Sequence, residues 1–299
     1  MRRRRLLISA LLGIGLFAVG TSAQQQIQLY ANIVDSAGAA VTSLKPDDLK
    51  VLENGVEAKI TKVELITWVT KIQLLIDNGQ GVGAGNLSLL RSGVRGLLEA
   101  LPMGVEVSLV TTSPQPRFVV RPTTDRKAIL AGVDNITPDS NAGRFVESLN
   151  EALQRNERDK SDFFPIIIAL GTTMGDTRVL DRDLNQIMER LEKRPTTVHV
   201  VILSAGSSSG SGGVVQQELG MNVAKYTSGR YEAINAASRI ATLLPEIGAQ
   251  VAKGAERQSQ QFRITAERPS GASGAPSKLS MSAKNGLQVT SLTTDGRVP

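Results

Sequence analysis

A buried strand, one acid and a glycine-rich turn decide the fold: Val69-Thr-Lys-Ile-Gln-Leu-Leu-Ile76 is followed by Asp77-Asn78-Gly79-Gln80-Gly81. The near-continuous apolar run is typical of a strand inside a parallel sheet, and a helical pattern begins near Asn86. Ligands of open α/β sheets bind at the carboxyl ends of the strands, so Asp77 marks a candidate site. Three interpretations are open: a metal site, a phosphate-binding turn, or the remnant of a site that has lost its ligands.

The chain on both sides of this turn alternates apolar strands with amphipathic helices. Further strands are predicted at 105–110, 118–120, 164–170, 197–203 and 230–233, with helices between them and a long helix over 234–253. This order predicts an α/β domain over 69–255, built as a doubly wound, mostly parallel sheet with helices on both faces.

Short strands flank this domain at both ends. Residues 24–66 contain Asn54-Gly55, a strong hairpin signal, and residues 260–292 contain strand-like runs at 261–267 and 278–283. We predict an N-terminal β segment over 24–66 and a C-terminal β segment over 260–292. Their symmetric placement about the α/β domain leads to the hypothesis that the two segments pair with each other.

The first 23 residues have the pattern of a secretory signal peptide. Arg2 to Arg5 are basic, Leu6 to Val19 are apolar, and Thr21-Ser22-Ala23 offers small residues for cleavage. The apolar stretch is shorter than the roughly 20 residues of a spanning helix. The pattern predicts export to the periplasm or the medium without stable membrane insertion after cleavage, and an uncleaved anchor is the alternative.

Charge and composition exclude several classes of protein. The predicted leader holds four arginines and no acid, so the formal net charge of +6 falls to +2 without it. A nearly neutral chain with one Trp, three Tyr and six Phe gives no indication of nucleic-acid binding. The absence of Cys and the single His exclude a zinc site of the usual kind, so any metal must be a hard cation with oxygen ligands.

Two enzyme motifs are present in form only. Residues 79–84 match a dinucleotide-binding turn, but residues 108–113 lack the acid expected at the end of the next strand. Residues 206–210 match a nucleophile elbow, but the only histidine, His199, lies upstream of it. We therefore predict that the chain is not an enzyme. A hydrolase or nucleotide-dependent enzyme that uses the carboxyl edge of the sheet remains the alternative.

A carboxylate metal site is the third candidate. Thr172, Thr173 and Asp176 follow the strand at 166–170, a predicted neighbour of the Asp77 strand, and together these side chains offer oxygen ligands to Mg²⁺ or Ca²⁺. The competing interpretation is that Asp77 caps its own turn and the threonines are ordinary loop residues.

Two stretches carry a resemblance to a known family. Residues 34–59 read VDSAGAAVTSLKPDDLKVLENGVEAK, and residues 74–81 read LLIDNGQG. The first is similar to the leader D-x-x-G-x-x-V-x-x-L-x-x-x-D-F-x-V-x-E-D-G, and the second to the strand that carries D-x-S-x-S. The chain thus resembles a von Willebrand factor A domain, in particular the bacterial exported proteins described as VWFA-related.

The resemblance also implies what this chain has lost. The family's metal-ion-dependent adhesion site uses D-x-S-x-S, a Thr in a later loop and an Asp after the fourth strand. Here Gly79 and Gly81 stand in the serine places, Gly171 stands in the Asp place, and the stretch 140–143 offers Ser or Gly near the Thr place. The implication is a degenerate site in which Asp77 is a vestigial ligand, with no cofactor and metal-independent binding.

The resulting prediction is an exported, non-enzymatic module, adhesive or scaffolding, that binds an unidentified protein partner. The binding loops would be 77–86, 138–144, 171–178 and 205–213. The candidate residues at this edge are Asp77, Asn78, Gly79, Gln80, Gly81, Ser140, Asn141, Thr172, Thr173 and Asp176.

Overall fold

A computed structural model describes residues 25–175, 181–204 and 212–297, in which twelve strands form two six-stranded sheets. The strands are β1 (Gln26–Val34), β2 (Leu49–Glu53), β3 (Val56–Leu65), β4 (Val69–Ile76), β5 (Glu106–Thr111), β6 (Arg117–Thr123), β7 (Phe163–Thr172), β8 (Thr197–Leu203), β9 (Tyr231–Ile234), β10 (Gln261–Glu267), β11 (Leu279–Ala283) and β12 (Gln288–Thr293). The helices are α1 (Leu87–Ala100), α2 (Arg126–Asp134), α3 (Phe145–Arg158), α4 (Asp181–Lys193), α5 (Gly212–Tyr226) and α6 (Ile240–Ser259).

The central sheet has the order β6-β5-β4-β7-β8-β9. All its neighbouring strands are parallel except β6, which pairs antiparallel with β5 at one edge. The chain passes from β4 to β5 on one side and later reaches β7 on the other. The carboxyl end of β4 is therefore the point where the strand order reverses, the usual place of a ligand site in such sheets.

Helices cover both faces of this sheet because the strand residues alternate between two cores. Ile72, Leu74 and Ile76 face a core with α1, α2 and α6, whereas Leu75 faces a core with α3, α4 and α5. The prediction of an α/β fold with a doubly wound, mostly parallel sheet is confirmed. No helix in the described ranges is both long and apolar enough to cross a bilayer.

The second sheet is antiparallel, with the order β11-β2-β3-β10-β1-β12. Strands from the two ends of the chain interleave in it: β10 lies between β1 and β3, with Leu29 opposite Ile264. Its own core includes Leu29, Ile33 and Phe262. Residues 1–24 lie outside the described residues, so the signal peptide stays a prediction.

Two boundaries at the end of the α/β domain differ from the sequence prediction. The helix predicted over 234–253 begins only at Ile240, because Ile234 pairs with Leu203 and ends β9. A short 3-10 turn at Ala237–Arg239 leads into the helix, which continues to Ser259.

The sequence prediction does not include β12 as a separate strand. In the structure β12 pairs with β1 along the edge of the second sheet.

Candidate functional site at the carboxyl edge of the central sheet

Asp77 lies at the end of β4 with its side chain enclosed. The residue is 2% exposed, and its N–H donates to Leu170 O of the neighbouring β7 at 2.9 Å. The Gly79 N–H donates to Asp77 Oδ1 at 2.8 Å, and the Thr172 hydroxyl donates to Asp77 Oδ2 at 2.8 Å. Both carboxyl oxygens are therefore bound to groups of the protein itself.

The electrostatics of Asp77 follow from this enclosure. Burial raises the pKa of the carboxyl group above its ordinary value, and the hydrogen bonds from Gly79 and Thr172 oppose that rise only in part. These donors are a backbone N–H and a hydroxyl, neither of which carries a full charge. The group is thus a buried acid held by neutral dipoles.

The glycines around Asp77 test whether a metal site fits. A Cβ on Gly143 would come within 2.5 Å of the carboxyl carbon and both oxygens of Asp77. A Cβ on Gly81 would overlap the Thr172 hydroxyl and lie 2.6 Å from Thr172 Cβ, and one on Gly79 would overlap Asn141 O. Neighbouring chain fills the space for side chains at these glycines, and both Asp77 oxygens already accept hydrogen bonds from the protein, so these residues do not fit a hard-cation site.

Two loops form this packing. Gln80 N–H donates to Asn141 O at 3.0 Å, and Asp139 N–H donates to Asn78 O at 2.8 Å. The Asn78 amide adds a bond from Nδ2 to Thr137 O at 2.8 Å. These hydrogen bonds hold the turn after β4 against the loop before α3, in which Gly143 packs against the Asp77 carboxyl group.

The same contacts argue against a phosphate-binding turn. The N–H of Gly79 donates to Asp77, and that of Gln80 donates to Asn141. The N–H groups of Val82 and Gly83 both donate to Gly79 O. A phosphate cradle requires such N–H groups to point at the ligand, and here four of them are used within the protein.

Ser113 and Asp139 are parts of the edge that the sequence interpretation missed. The Ser113 hydroxyl lies 3.2 Å from Asp139 Oδ1 and 3.0 Å from Asn141 O. Asn141 donates to Asp139 from its N–H at 2.7 Å and its Nδ2 at 2.8 Å, and these bonds hold the pKa of Asp139 below its ordinary value. The signals were present: Ser113 closely follows β5 as Asp77 follows β4, and Asp139-Ser-Asn141 is a local turn pattern.

The structure brings most of the predicted edge residues together. Asp77, Asn78, Gly79, Gln80, Gly81, Asn141 and Thr172 meet through the contacts above. Thr173 is buried and donates its N–H to Leu203 O at 3.0 Å, whereas Ser140 is exposed. Asp176 and most of the loop 205–213, with the Gly206–Gly210 motif, lie outside the described residues. Thr172, predicted either as a metal ligand or as an ordinary loop residue, is the last residue of β7 and donates its hydroxyl to Asp77.

An open groove of 390 Å³ lies beside the enclosed acid. Its walls are Gln80, Pro114, Asn141, Ala142, Arg144, Met174 and Gly175. Arg144 donates from Nε to Pro114 O at 2.7 Å and from Nη1 to Glu147 Oε2 at 3.0 Å, and Met174 is 37% exposed. The carboxyl edge therefore has a mixed polar and apolar surface beside the enclosed Asp77.

His199 takes no part in this edge. It lies near the start of β8, is 4% exposed, and its Nδ1 accepts the Arg230 N–H at 3.1 Å. Burial, reinforced by the charge of Arg230, lowers the pKa of His199 to about 4. This environment is that of a packed strand residue.

Comparisons with known proteins identify a family and solved structures that the central sheet resembles. A family model for the von Willebrand factor type A domain matches residues 72–171. The pilus adhesin SpaC of Lactobacillus rhamnosus GG, in its open conformation, superimposes with a TM-score of 0.51 at 12% identity over 76% of this chain and 36% of the adhesin. A second form of SpaC gives a TM-score of 0.50 at 13% identity over 73% and 36% of the two chains.

At such low identity the SpaC likeness concerns the fold alone, and this chain spans little more than a third of the adhesin's length. No curated protein matches the sequence. The matched residues contain most of β4 and β7 and all of α1 and β5, and they include Asp77. The likeness to the von Willebrand factor type A domain family thus lies in residues 72–171.

Proposed function

We propose that this chain is an exported, non-enzymatic module that binds a partner protein through the carboxyl edge of its central sheet, without a metal ion. The observation that carries the proposal is the pairing of a closed Asp77 centre with an open groove beside it. Because Asp77 is enclosed, a partner can contact only the surface residues of the loops. Met174 is one of the exposed residues there.

Three further points support the proposal. The SpaC structures with the same fold are named as those of a pilus adhesin, which favours an adhesive or scaffolding role. Export rests on the predicted leader over 1–23. A non-enzymatic role is favoured because His199, the single histidine, is buried in β8 and its side chain does not lie at the carboxyl edge.

Metal independence rests on the packing around Asp77. Thr172 and Gly143 occupy the space next to its carboxyl group, and Gly79 and Gly81 have no room for the missing hydroxyls. We expect calorimetric titration with Mg²⁺, Ca²⁺ or Mn²⁺ to give no saturable heat with the wild type. Saturable binding that Asp77→Ala abolishes would contradict this part of the proposal.

The binding surface is tested with two exposed methionines in different parts of the α/β domain. Met174 lines the edge groove, whereas Met103 is 80% exposed in the turn between α1 and β5. We expect Met174→Asp to lose at least about tenfold of the partner recovered from envelope fractions, since a charge is placed in an apolar contact. Met103→Asp serves as the matched control and keeps the partner. Equal recovery with both variants would argue against the edge as the binding surface.

A further inference from the structure

Helix α5 carries large apolar side chains on its exposed side. Val214, Met221 and Tyr226 are 57%, 46% and 45% exposed, and they are three of the seven well-exposed large apolar residues in the described part of the chain. The opposite side of the helix buries Leu219 and Val223 in the core. A single exposed apolar residue is ordinary, but three on one helix of 15 residues indicate a contact surface.

Two charged residues lie in line with the apolar ones. With 3.6 residues per turn, Val214, Glu218, Met221 and Lys225 fall within an arc of about 60° on the helix surface. All four residues are exposed, and together they define the α5 stripe. The stripe alternates apolar and charged positions along the helix axis. Its net charge is zero, unlike the basic helix face that an anionic membrane surface attracts.

The two charges of the α5 stripe cannot pair with each other. Glu218 and Lys225 are seven residues apart, about 10 Å along the helix axis, whereas ion pairs within a helix form between residues three or four apart. Among the described residues neither side chain has another ion-pair partner. Both charges are therefore left for a surface that carries the same two charges in the reverse order.

A second copy of this chain provides that surface when its α5 runs antiparallel to the first. The midpoint between Glu218 and Lys225 lies next to Met221, so a twofold axis there places Glu218 of each copy opposite Lys225 of the other. The Met221 side chains of the two copies then lie close to the axis and bury each other's apolar surface. Exposed ion pairs contribute little energy, but two of them fix the antiparallel orientation.

We propose that two copies of this chain associate through their α5 stripes in an antiparallel, twofold-symmetric contact. Tyr226 flanks the stripe, with the Arg297 guanidinium 5.8 Å from its ring, and extends the apolar area. One helix face is smaller than a standard protein interface, so we expect a weak dimer with a Kd of roughly 10–100 μM. The groove at the carboxyl edge includes no residue of α5, so this proposal is independent of the function proposed above.

Sedimentation velocity of the purified full chain at increasing concentration measures the association. We expect Met221→Asp to weaken it by at least about tenfold, because two carboxylates would meet at the twofold axis. The control is Met103→Asp, at a residue 80% exposed in the turn between α1 and β5, and it should leave the Kd unchanged. A wild-type chain that stays monomeric up to about 200 μM would overturn the proposal, as would equal association of both variants.

Exchange of the two charges tests the antiparallel geometry. Glu218→Lys and Lys225→Glu each place like charges opposite one another at two points, so each variant alone should associate about tenfold more weakly than the wild type. A mixture of the two variants restores both ion pairs in a heterodimer, and its Kd should lie within about threefold of the wild-type value. Circular dichroism establishes that each variant is folded. Unchanged association of the single variants, or a mixture that associates no better than either variant alone, would show that Glu218 and Lys225 do not pair between copies.

Discussion

Asp77 and Glu53 are two acids of equal solvent exposure whose pKa values shift in opposite directions. Each is 2% exposed, one at the end of β4 in the central sheet and the other at the end of β2 in the antiparallel sheet. Asp77 is held by a backbone N–H and a hydroxyl, and burial raises its pKa. Glu53 binds Arg268, whose Nε donates to Oε2 at 3.0 Å, and this pairing lowers its pKa.

Low exposure therefore does not by itself set the direction of the pKa shift, because a charged hydrogen-bond partner lowers the pKa of Glu53 whereas neutral donors leave that of Asp77 raised. Arg268 also donates to Gln25 Oε1 at 2.7 Å and to Gly274 O at 2.8 Å, so the Glu53 pair ties three segments of the chain together. Asp77 has neutral partners and shapes a turn. Glu53 organises a sheet, whereas Asp77 closes the turn at the carboxyl end of β4.

The two acids have opposite linkage to pH. Because the pKa of Glu53 is lowered in the folded state, its stabilising contribution is present above its ordinary value of 4.5 and is lost as pH falls. The pKa of Asp77 is raised above 3.8, so its protonated form favours the folded state, and that contribution is lost as pH rises through the raised pKa.

Removal of the Glu53 carboxylate has the largest expected effect on stability. Glu53→Ala leaves the Arg268 guanidinium buried without its counter-charge, and we expect the free energy of unfolding to fall by about 4 kcal/mol. Chemical denaturation measures this change. The control is Glu57→Ala, whose pair with Lys50 is exposed and should be worth less than about 1 kcal/mol. Similar losses in both variants would mean that burial of the Glu53 pair has no special weight.

Unlike the two acids, His199 is a buried base, and its lowered pKa keeps it neutral at pH 7. Its pKa falls from 6.5 to about 4 on folding, so the unfolded chain binds more protons between these pH values. Stability should therefore fall by about 3 kcal/mol from this group as pH drops from 7 to 4.

The variant His199→Asn isolates that contribution, because it cannot be protonated in this range and keeps an acceptor for the Arg230 N–H. Urea denaturation of the variant and the wild type at several pH values gives the difference in slope. If both proteins lose stability in parallel between pH 7 and 4, the neutral state assigned to His199 is wrong.

Gly81→Ser tests the closed packing at Asp77 and has the smallest expected effect. A side chain there would press on Thr172, so we expect a loss of about 2 kcal/mol in the free energy of unfolding and no gain of metal binding. Gly85→Ser is the matched control, since nothing lies within 4 Å of a Cβ at that position. Saturable Mg²⁺ binding by Gly81→Ser would show that the site reopens and that only the missing hydroxyl had disabled it.

The parts of the fold that could be predicted are those that leave a local pattern of apolar residues in the sequence. The apolar run at 69–76 and the helix–strand alternation predict the central sheet, because side-chain periodicity reflects which face of an element is buried. The predicted start of the helix at residue 234 was wrong because an apolar residue such as Ile234 fits a strand as well as a helix. Ile234 belongs to β9 because it pairs with Leu203, and no local sequence pattern reveals that pairing.

The α/β fold and the glycines at 79 and 81 can be read from the sequence, since both are properties of short stretches of chain. What packs against those glycines depends on tertiary contacts. Thr172 reaches Asp77 across 95 positions of sequence, and Arg268 reaches Glu53 across 215. Such contacts depend on how the sheets and loops pack, and the charge state of a buried acid depends on those contacts rather than on its neighbours in the chain.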